Sequence, residues 1–378
     1  MRVAISYVYA IARFLFFLSA ALSLCEANDM YVVGLNDFGQ LGAGDQLQRT
    51  TYSKISTIFT TYISGCSGLS HSAVIGNTAQ HSQVLMVWGR NDRGQLGTGD
   101  TQHRLSPTEP DWSKTMYRLS DSDAYVNQNT ARPKFVMVAC GEDSTVGVTD
   151  EGKLYSWGSN DYGQLGISDQ TAEMLKTPAG IYFRSVPYFI SSLRHVFVVA
   201  ITSGTYHFAV LSDKGQVFLW GSNSEGQLGM GDFSQRNLPV PLTYFKTPVQ
   251  QVQAGSYHTV FLDTFGRVYV CGLNSNGQLG IGQTAEAKTP AVVSSISSQH
   301  ITNVASGHYH VFAIAEDGVL WAWGANSFGQ LGLGDAVNRY VPRPVSAGLI
   351  NGEKTEFKAY NVFAGQRHSI IVTDSGDL

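Results

Sequence analysis

Short apolar runs separated by tight polar turns recur along this chain at a period near 50 residues. The stretch TSGTYHFAVLSDKGQVFLWG (202–221) displays one unit: a run of β-formers, a turn at Asp213-Lys214-Gly215, and a second run ending in tryptophan and glycine. ACGEDSTVGVTDEGKLYSWG (139–158), QAGSYHTVFLDTFGRVYVCG (253–272) and ASGHYHVFAIAEDGVLWAWG (305–324) repeat it, and SGCSGLSHSAVI (64–75) is an earlier member. β-formers flanking an Asp/Gly turn predict a hairpin. After the first 27 residues no segment holds a helical period. The repeat therefore predicts a small antiparallel sheet.

A glycine-rich segment follows each hairpin, as in VGLNDFGQLGAGD from Val33 and WGSNSEGQLGMGD from Trp220. Six copies begin at Gly34, Gly89, Gly158, Gly221, Gly272 and Gly324, with spacings of 55, 69, 63, 51 and 52 residues. A period of this length points to solenoids or propellers. The ends decide between them. The chain closes on VFAGQRHSIIVTDSGDL, half a hairpin, and opens after its leader on DMYVVGLNDFGQLG, the complementary half. An open solenoid wants polar caps, whereas complementary halves predict a closed ring without free sheet edges. The expectation is an all-β chain with a single β-propeller over 28–378, its terminal strands sharing one blade. Six blades fall near 29–80, 81–151, 152–214, 215–266, 267–318 and 319–378.

Within GQLG the glycines, Gly39, Gly94, Gly163, Gly226, Gly277 and Gly329, suit positive φ or close backbone approach. Leu41, Leu96, Leu165, Leu228, Leu279 and Leu331 are expected to plug the gap between sheets, and the glutamines to satisfy loop backbone groups. The motif reads as a structural staple.

The first 27 residues carry two arginines, the apolar run FLFFLSAALSLC and a small residue, Ala27, at a cleavage position. That predicts a secretory signal, and a secreted or luminal protein. The alternative is a membrane anchor at 1–27, against which Arg13 divides the apolar stretch. Cys25 would leave with the signal, and Cys66, Cys140 and Cys271 read as three small buried residues rather than a disulfide framework. With 25 basic and 29 acidic residues and no basic run, direct nucleic-acid binding is not expected.

Five units place a histidine after G-x-x: His71, His207, His258, His310 and His368, with Ser144 in the sixth. Equivalent positions on separate blades are too far apart to share one metal ion, and the serine favours a structural hydrogen bond. Trp88, Trp157, Trp220 and Trp323 sit at strand ends and are expected to pack in the core. The aspartates Asp45, Asp100, Asp169, Asp232 and Asp335 hold one repeated place, which favours turn-making. GSNSEGQLGMGD lacks the Lys-Ser/Thr of a phosphate loop, and no G-x-S-x-G, HExxH or EF-hand spacing occurs. No cofactor, metal or enzymatic activity is expected. Two excursions break the repeat, at 101–135 and at about 170–196. Trp112, Tyr117 and Tyr125 in the first, and Tyr182, Phe183 and Tyr188 in the second, are candidate binding contacts.

The paired motifs WGxNxxGQLGxGD and GxxHxxxxxxDG resemble the regulator of chromosome condensation repeat family, over essentially all of 29–378. The resemblance implies a β-propeller of about 50-residue blades whose terminal strands share a blade. Founding members have seven blades; six are counted here. Nuclear members of that family are guanine-nucleotide exchange factors for the GTPase Ran, others are adaptors, and a secreted bacterial inhibitor of β-lactamases has a similar propeller. The basic tail of the nuclear members is absent, replaced by the hydrophobic leader. The reading is a monomeric, non-enzymatic propeller that binds a protein partner through its loop faces; the alternative is a regulator of a small GTPase.

Overall fold

Each pair of apolar runs becomes the middle two strands of an antiparallel sheet. The computed structural model describes residues 29–56, 58–113, 116–118, 125–127, 132–167, 174–345, 348–350, 353–355 and 357–373. The leader expected at 1–27 and Asp169 lie outside them.

The N-terminal half-sheet pairs β1 (Met30–Gly34) with β2 (Arg49–Ile55). The first full sheet runs β3 (Phe59–Ser67), β4 (His71–Thr78), β5 (Val84–Gly89), β6 (Arg104–Thr108). The hairpin β7 (Met116–Arg118) and β8 (Tyr125–Asn127) comes next, ahead of β9 (Phe135–Cys140), β10 (Ser144–Thr149), β11 (Leu154–Ser159), the short β12 (Leu175–Lys176) and β13 (Tyr182–Phe189). The third sheet is β14 (Val198–Ser203), β15 (His207–Ser212), β16 (Val217–Gly221), β17 (Arg236–Pro241). The fourth is β18 (Val249–Ala254), β19 (His258–Asp263), β20 (Val268–Gly272), β21 (Ala287–Val292). The fifth is β22 (Ile301–Ser306), β23 (His310–Ala315), β24 (Leu320–Gly324), β25 (Arg339–Val345). A hairpin of β26 (Gly348–Ile350) and β27 (Glu353–Thr355) precedes the C-terminal half-sheet, β28 (Ala359–Ala364) with β29 (Ser369–Thr373). Among the described residues the only helical turns are Ser191–Leu193 and Ser294–Ile296, and no helix is long and apolar enough to cross a membrane. The fold is all-β and propeller-like.

One register recurs: His71 pairs with Gly89, Ser144 with Gly158, His207 with Gly221, His258 with Gly272 and His310 with Gly324. The second strands HFAVLS, HTVFLD and HVFAIA are buried along their whole length. A strand covered on both faces loses the polar alternation of a half-exposed one. The core is laminar. Val260, Leu262, Val268 and Val270 of the fourth sheet pack on Val304, Val311, Ala313 and Trp323 of the fifth, and each neighbouring pair repeats the arrangement.

Two findings depart from the sequence reading. Cys66 and Cys140 form a disulfide with Cα atoms 5.6 Å apart, joining β3 to β9 across neighbouring sheets, while Cys271 is free and buried. The matched places of the two cysteines bring them face to face, which their separation of 74 residues conceals. The two excursions also meet. β7 pairs in parallel with β13 through Met116 and Tyr188, so the second sheet grows outward in the order β8-β7-β13-β11-β10-β9.

Candidate binding face

The G-x-x-H loops and the N-x-x-GQLG loops emerge on one face, tied together by repeated backbone bonds. Arg90, Ser159, Ser222, Leu273 and Ala325 each donate an N–H to the residue before the histidine position, at Ser70, Asp143, Tyr206, Tyr257 and Tyr309. Each N-x-x-GQLG loop is braced from inside. Asn36 Oδ1 accepts from Leu41 N–H at 2.9 Å, and Gln40 Oε1 from Phe38 N–H at 2.9 Å. Asn91, Asn223, Asn274 and Asn326 repeat the first bond and Gln95, Gln227, Gln278 and Gln330 the second. Asp45, Asp100, Asp232 and Asp335 close the loops, each accepting from its asparagine and pairing with the arginine four residues on, Arg49, Arg104, Arg236 and Arg339.

Neighbouring sheets are joined by a directed relay. His71 Nε2 lies 2.9 Å from Thr145 Oγ1, which donates to the Gln95 carbonyl at 2.9 Å. His207, Thr259 and Gln227 repeat it, as do His310, Ser369 and Gln330. A hydroxyl that gives its proton to a carbonyl must accept from the imidazole, so the Nε2–H tautomer is fixed and Nδ1 holds the lone pair. His258 Nε2 turns instead to Ser306, because Val311 replaces the hydroxyl. Nδ1 of His71, His207, His258 and His310 has no protein partner. Burial pushes His71 and His310 down to about 4 and His207 and His258 to about 3. The motif's glutamine carbonyls at Gln40, Gln95, Gln164 and Gln278 also accept the indole N–H of Trp88, Trp157, Trp220 and Trp323 at 2.9–3.0 Å, so Gln95 takes both a hydroxyl and an indole.

The glycines set the distance between sheets. Gly94 has φ +70°, and a Cβ there would stand 2.5 Å from the Arg184 carbonyl of β13. Gly39, Gly163, Gly226 and Gly277 approach the outer strand of the next sheet in the same way. Gly329 has nothing within 4 Å of that point. Leu41, Leu96, Leu165, Leu228, Leu279 and Leu331 are all buried.

Above the relay runs a belt of backbone bonds between loops. Glu142 N–H donates to Thr205 O, Thr205 N–H to Ser256 O, Ser256 N–H to His308 O, and His308 N–H to Gly365 O. On this belt stand aromatic and charged side chains. Tyr206 and Tyr162 approach to 4.7 Å between ring centroids, Tyr257 and Tyr309 stack at 6.5 Å, and His308 lies 4.5 Å from Tyr309. Arg90 lies over Phe38 and Arg367 over Phe328. Burial, then a hydrogen bond to the Glu142 carboxylate, raise the Tyr206 hydroxyl. Burial and the nearby Arg367 charge lower His308. Asp143 is buried, which raises it, while Arg93 at 2.8 Å and Arg90 at 3.6 Å pull the other way.

Of the contacts expected in the excursions, three are engaged in packing and do not present a free surface. Trp112 stacks on Phe135 at 5.2 Å and meets Trp157 edge-on. Phe183 and Tyr188 are buried, Tyr188 beneath the Arg184 guanidinium at 4.1 Å. Phe183 and Tyr188 lie on the outer strand β13, whose inner face meets the core, while Trp112 lies in the segment after β6 and packs on Phe135 of β9. Tyr182 is half-buried beside Lys176, and Tyr117 and Tyr125 fall on β7 and β8. His71, His207, His258 and His310 are buried while His368 is exposed, and among the described residues no group of three or more His, Cys, Asp or Glu could hold a metal ion. The tyrosine face went unnamed in the sequence reading. The recurring G-x-Y-H at Tyr206, Tyr257 and Tyr309 was the signal that could have found it.

Residues 114–378 match the family described as RCC1-like domain. The chain is 30% identical to the ultraviolet-B receptor UVR8 of Arabidopsis thaliana over 86% of its own length and 67% of that protein's. It is 26% identical to protein pim1 of Schizosaccharomyces pombe, over 93% and 66%. It thus spans about two thirds of the length of these relatives. Among solved structures it is similar to Prp20p of Saccharomyces cerevisiae, with a TM-score of 0.70, 19% identity, and coverage of 91% of this chain and 77% of that one. That structure is described together with its binding to Gsp1p and histones.

Proposed function

The chain belongs to the RCC1-like domain family, and on that premise we propose that it is a non-enzymatic, protein-binding propeller of the secretory route. The observation that carries this reading is the tyrosine face: Tyr206, Tyr257 and Tyr309 stand partly exposed, one residue before three buried histidines, on a belt of inter-sheet bonds. Rigid aromatic side chains beside arginines supply contact area at little entropic cost. Replacing Tyr257 and Tyr309 together by alanine should abolish cross-linking to the partner that the wild-type chain captures, with little change in the thermal midpoint. Deleting 116–127, on the outer edge, should leave capture intact. The reverse pattern would move the site to the excursions.

The Cys66–Cys140 disulfide supports an oxidising compartment, since such bonds are rare where thiols are kept reduced. Sequencing the mature N-terminus from cell and medium fractions tests this. A chain beginning near Asn28 in the medium or lumen is expected. An intact Met1 in the cytosol, with accelerated nucleotide release from Ran, would overturn both the compartment and the non-enzymatic reading in favour of GTPase regulation.

The ring is proposed to close with six blades, β28–β29 and β1–β2 completing the last. Two unfilled links support this. His368 is exposed while its four counterparts are buried, and Ser72, which donates to the Gln40 carbonyl, holds the place of its relay partner. Gly329 lacks the outer-strand neighbour that Gly39 and its counterparts have, and Arg49–Thr50 of β2 holds that place. Extending the common register pairs His368 with Gly34 and Ile371 with Tyr31. A Tyr31→Cys/Ile371→Cys chain should therefore form an internal cross-link on oxidation. Only intermolecular cross-links would reject closure within one chain.

A further inference from the structure

We propose that Tyr162, Tyr206, Tyr257 and Glu142 form a cage for a cationic side chain, the lysine or arginine of a protein partner. The inference rests on the protein-binding reading above and specifies the chemistry that the face selects.

Three backbone-linked loops bring these groups together. Glu142 N–H on Thr205 O places the carboxylate beside Tyr206, and Thr205 N–H on Ser256 O brings Tyr257 alongside. Tyr162 reaches over from its own N-x-x-GQLG loop to stand 4.7 Å from the Tyr206 ring. The rings are partly or largely open to solvent, Tyr162 at 41% exposure. They are not core residues.

Charge decides what such a cluster can hold. Its neighbour Asp143 is met by Arg93 and Arg90, and Arg90 also pairs with Asp92. Arg367 lies over Phe328. Glu142 has no ion-pair partner among the described residues, and its contact is the neutral Tyr206 hydroxyl. Arg90 lies within electrostatic reach of Glu142 but is paired with Asp92, and the negative faces of three tyrosines around a carboxylate without a direct ion pair attract a cation and repel an anion. A guanidinium or ammonium would stack on the rings while meeting Glu142. Asp37, Asp161 and Glu225 on other loops of this face add to the same sign.

The test titrates the full chain with N-acetylarginine amide, N-acetyllysine amide and N-acetylleucine amide, read by tyrosine fluorescence and chemical-shift change. The two cationic amides should bind about tenfold or more tightly than the leucine amide, with affinity falling as salt rises. Glu142→Gln should weaken them about tenfold and leave the thermal midpoint near wild type. Should that variant not fold, Tyr162→Ala, on the most open ring, serves the same purpose. Equal binding of the leucine amide, or cationic binding unchanged in both variants, overturns the cage. A partner captured equally by wild type and Glu142→Gln overturns the cage while sparing the protein-binding reading. Selective amide binding with no protein captured upholds the cage and rejects that reading instead.

Discussion

Lowering the pH from about 7.5 to about 5 should remove most of the protein's stability, because four buried histidines must stay neutral for the sheets to remain in contact. Unfolded, each histidine titrates near 6.5; folded, burial holds His71 and His310 at about 4 and His207 and His258 at about 3. Above pH 6.5 both states are neutral and the full stability is present. Between 6.5 and the folded values only the unfolded chain binds the proton, so stability falls as the pH falls. At pH 5 the loss is about 2 kcal/mol per histidine, or about 8 kcal/mol for the four, against a total of about 5–15 kcal/mol for ordinary domains. In His71, His207 and His310 the proton would have to enter at Nδ1, where no partner waits, because Nε2–H is already committed to a serine or threonine. Denaturant midpoints at the two pH values test this. A midpoint that does not move would mean that the histidines are hydrated in solution and that the relay adds little. The effect should be smaller in His258→Gln, which removes one of the four titrating groups.

Removing the Cys66–Cys140 bond is expected to cost up to about 4 kcal/mol, since a closure of 74 residues restricts the unfolded chain strongly. Cys66→Ser/Cys140→Ser should unfold at a lower temperature than wild type, and a reducing agent should have no further effect on it. Thiol counting separates the possibilities. The denatured, unreduced chain lacking residues 1–27 should expose one thiol, Cys271, and a chain that keeps Cys25 should expose two. Three thiols in the shorter chain would mean that the bond is not formed. An unchanged midpoint in the double variant would mean that packing between β3 and β9 already does what the bond does.

What the sequence made legible follows from what repeats. The hairpins and the glycine-rich staple sit in every unit, and a core tryptophan precedes the staple in four of six, at Trp88, Trp157, Trp220 and Trp323, so pattern alone exposes them. The histidines were legible as structural for the same reason, with Ser144 as the telling exception. What went unread depends on neighbours in space. Cys66 and Cys140 meet because equivalent inner strands face each other, which a count of three widely spaced cysteines does not reveal. β7 and β13 meet across a parallel pairing with no local turn to announce it. Residue type alone does not tell an open aromatic from a packed one: Phe183 and Tyr188 turn inward on the added outer strand β13, and Trp112 folds from the segment after β6 onto Phe135. The tyrosine face is written in only half the units: tyrosine precedes the histidine at Tyr206, Tyr257 and Tyr309, while Ser70, Asp143 and Arg367 hold that place elsewhere, so it stands out less than the staple.

The relay has a sense of direction: His71, His207 and His310 reach forward to the next sheet, and the Thr145, Thr259 and Ser369 hydroxyls and the Trp157, Trp220 and Trp323 indoles reach back to a glutamine carbonyl of the sheet before. A unit that carries both the histidine and the hydroxyl can therefore be copied beside another of its kind and find its partners, while one inserted in reverse would find donor facing donor. In the closed ring proposed above, the polypeptide's starting point is equally arbitrary. Its ends could be joined and the polypeptide cut at another turn, Asp213-Lys214-Gly215 for example, and each interface would still meet the partner it was built for.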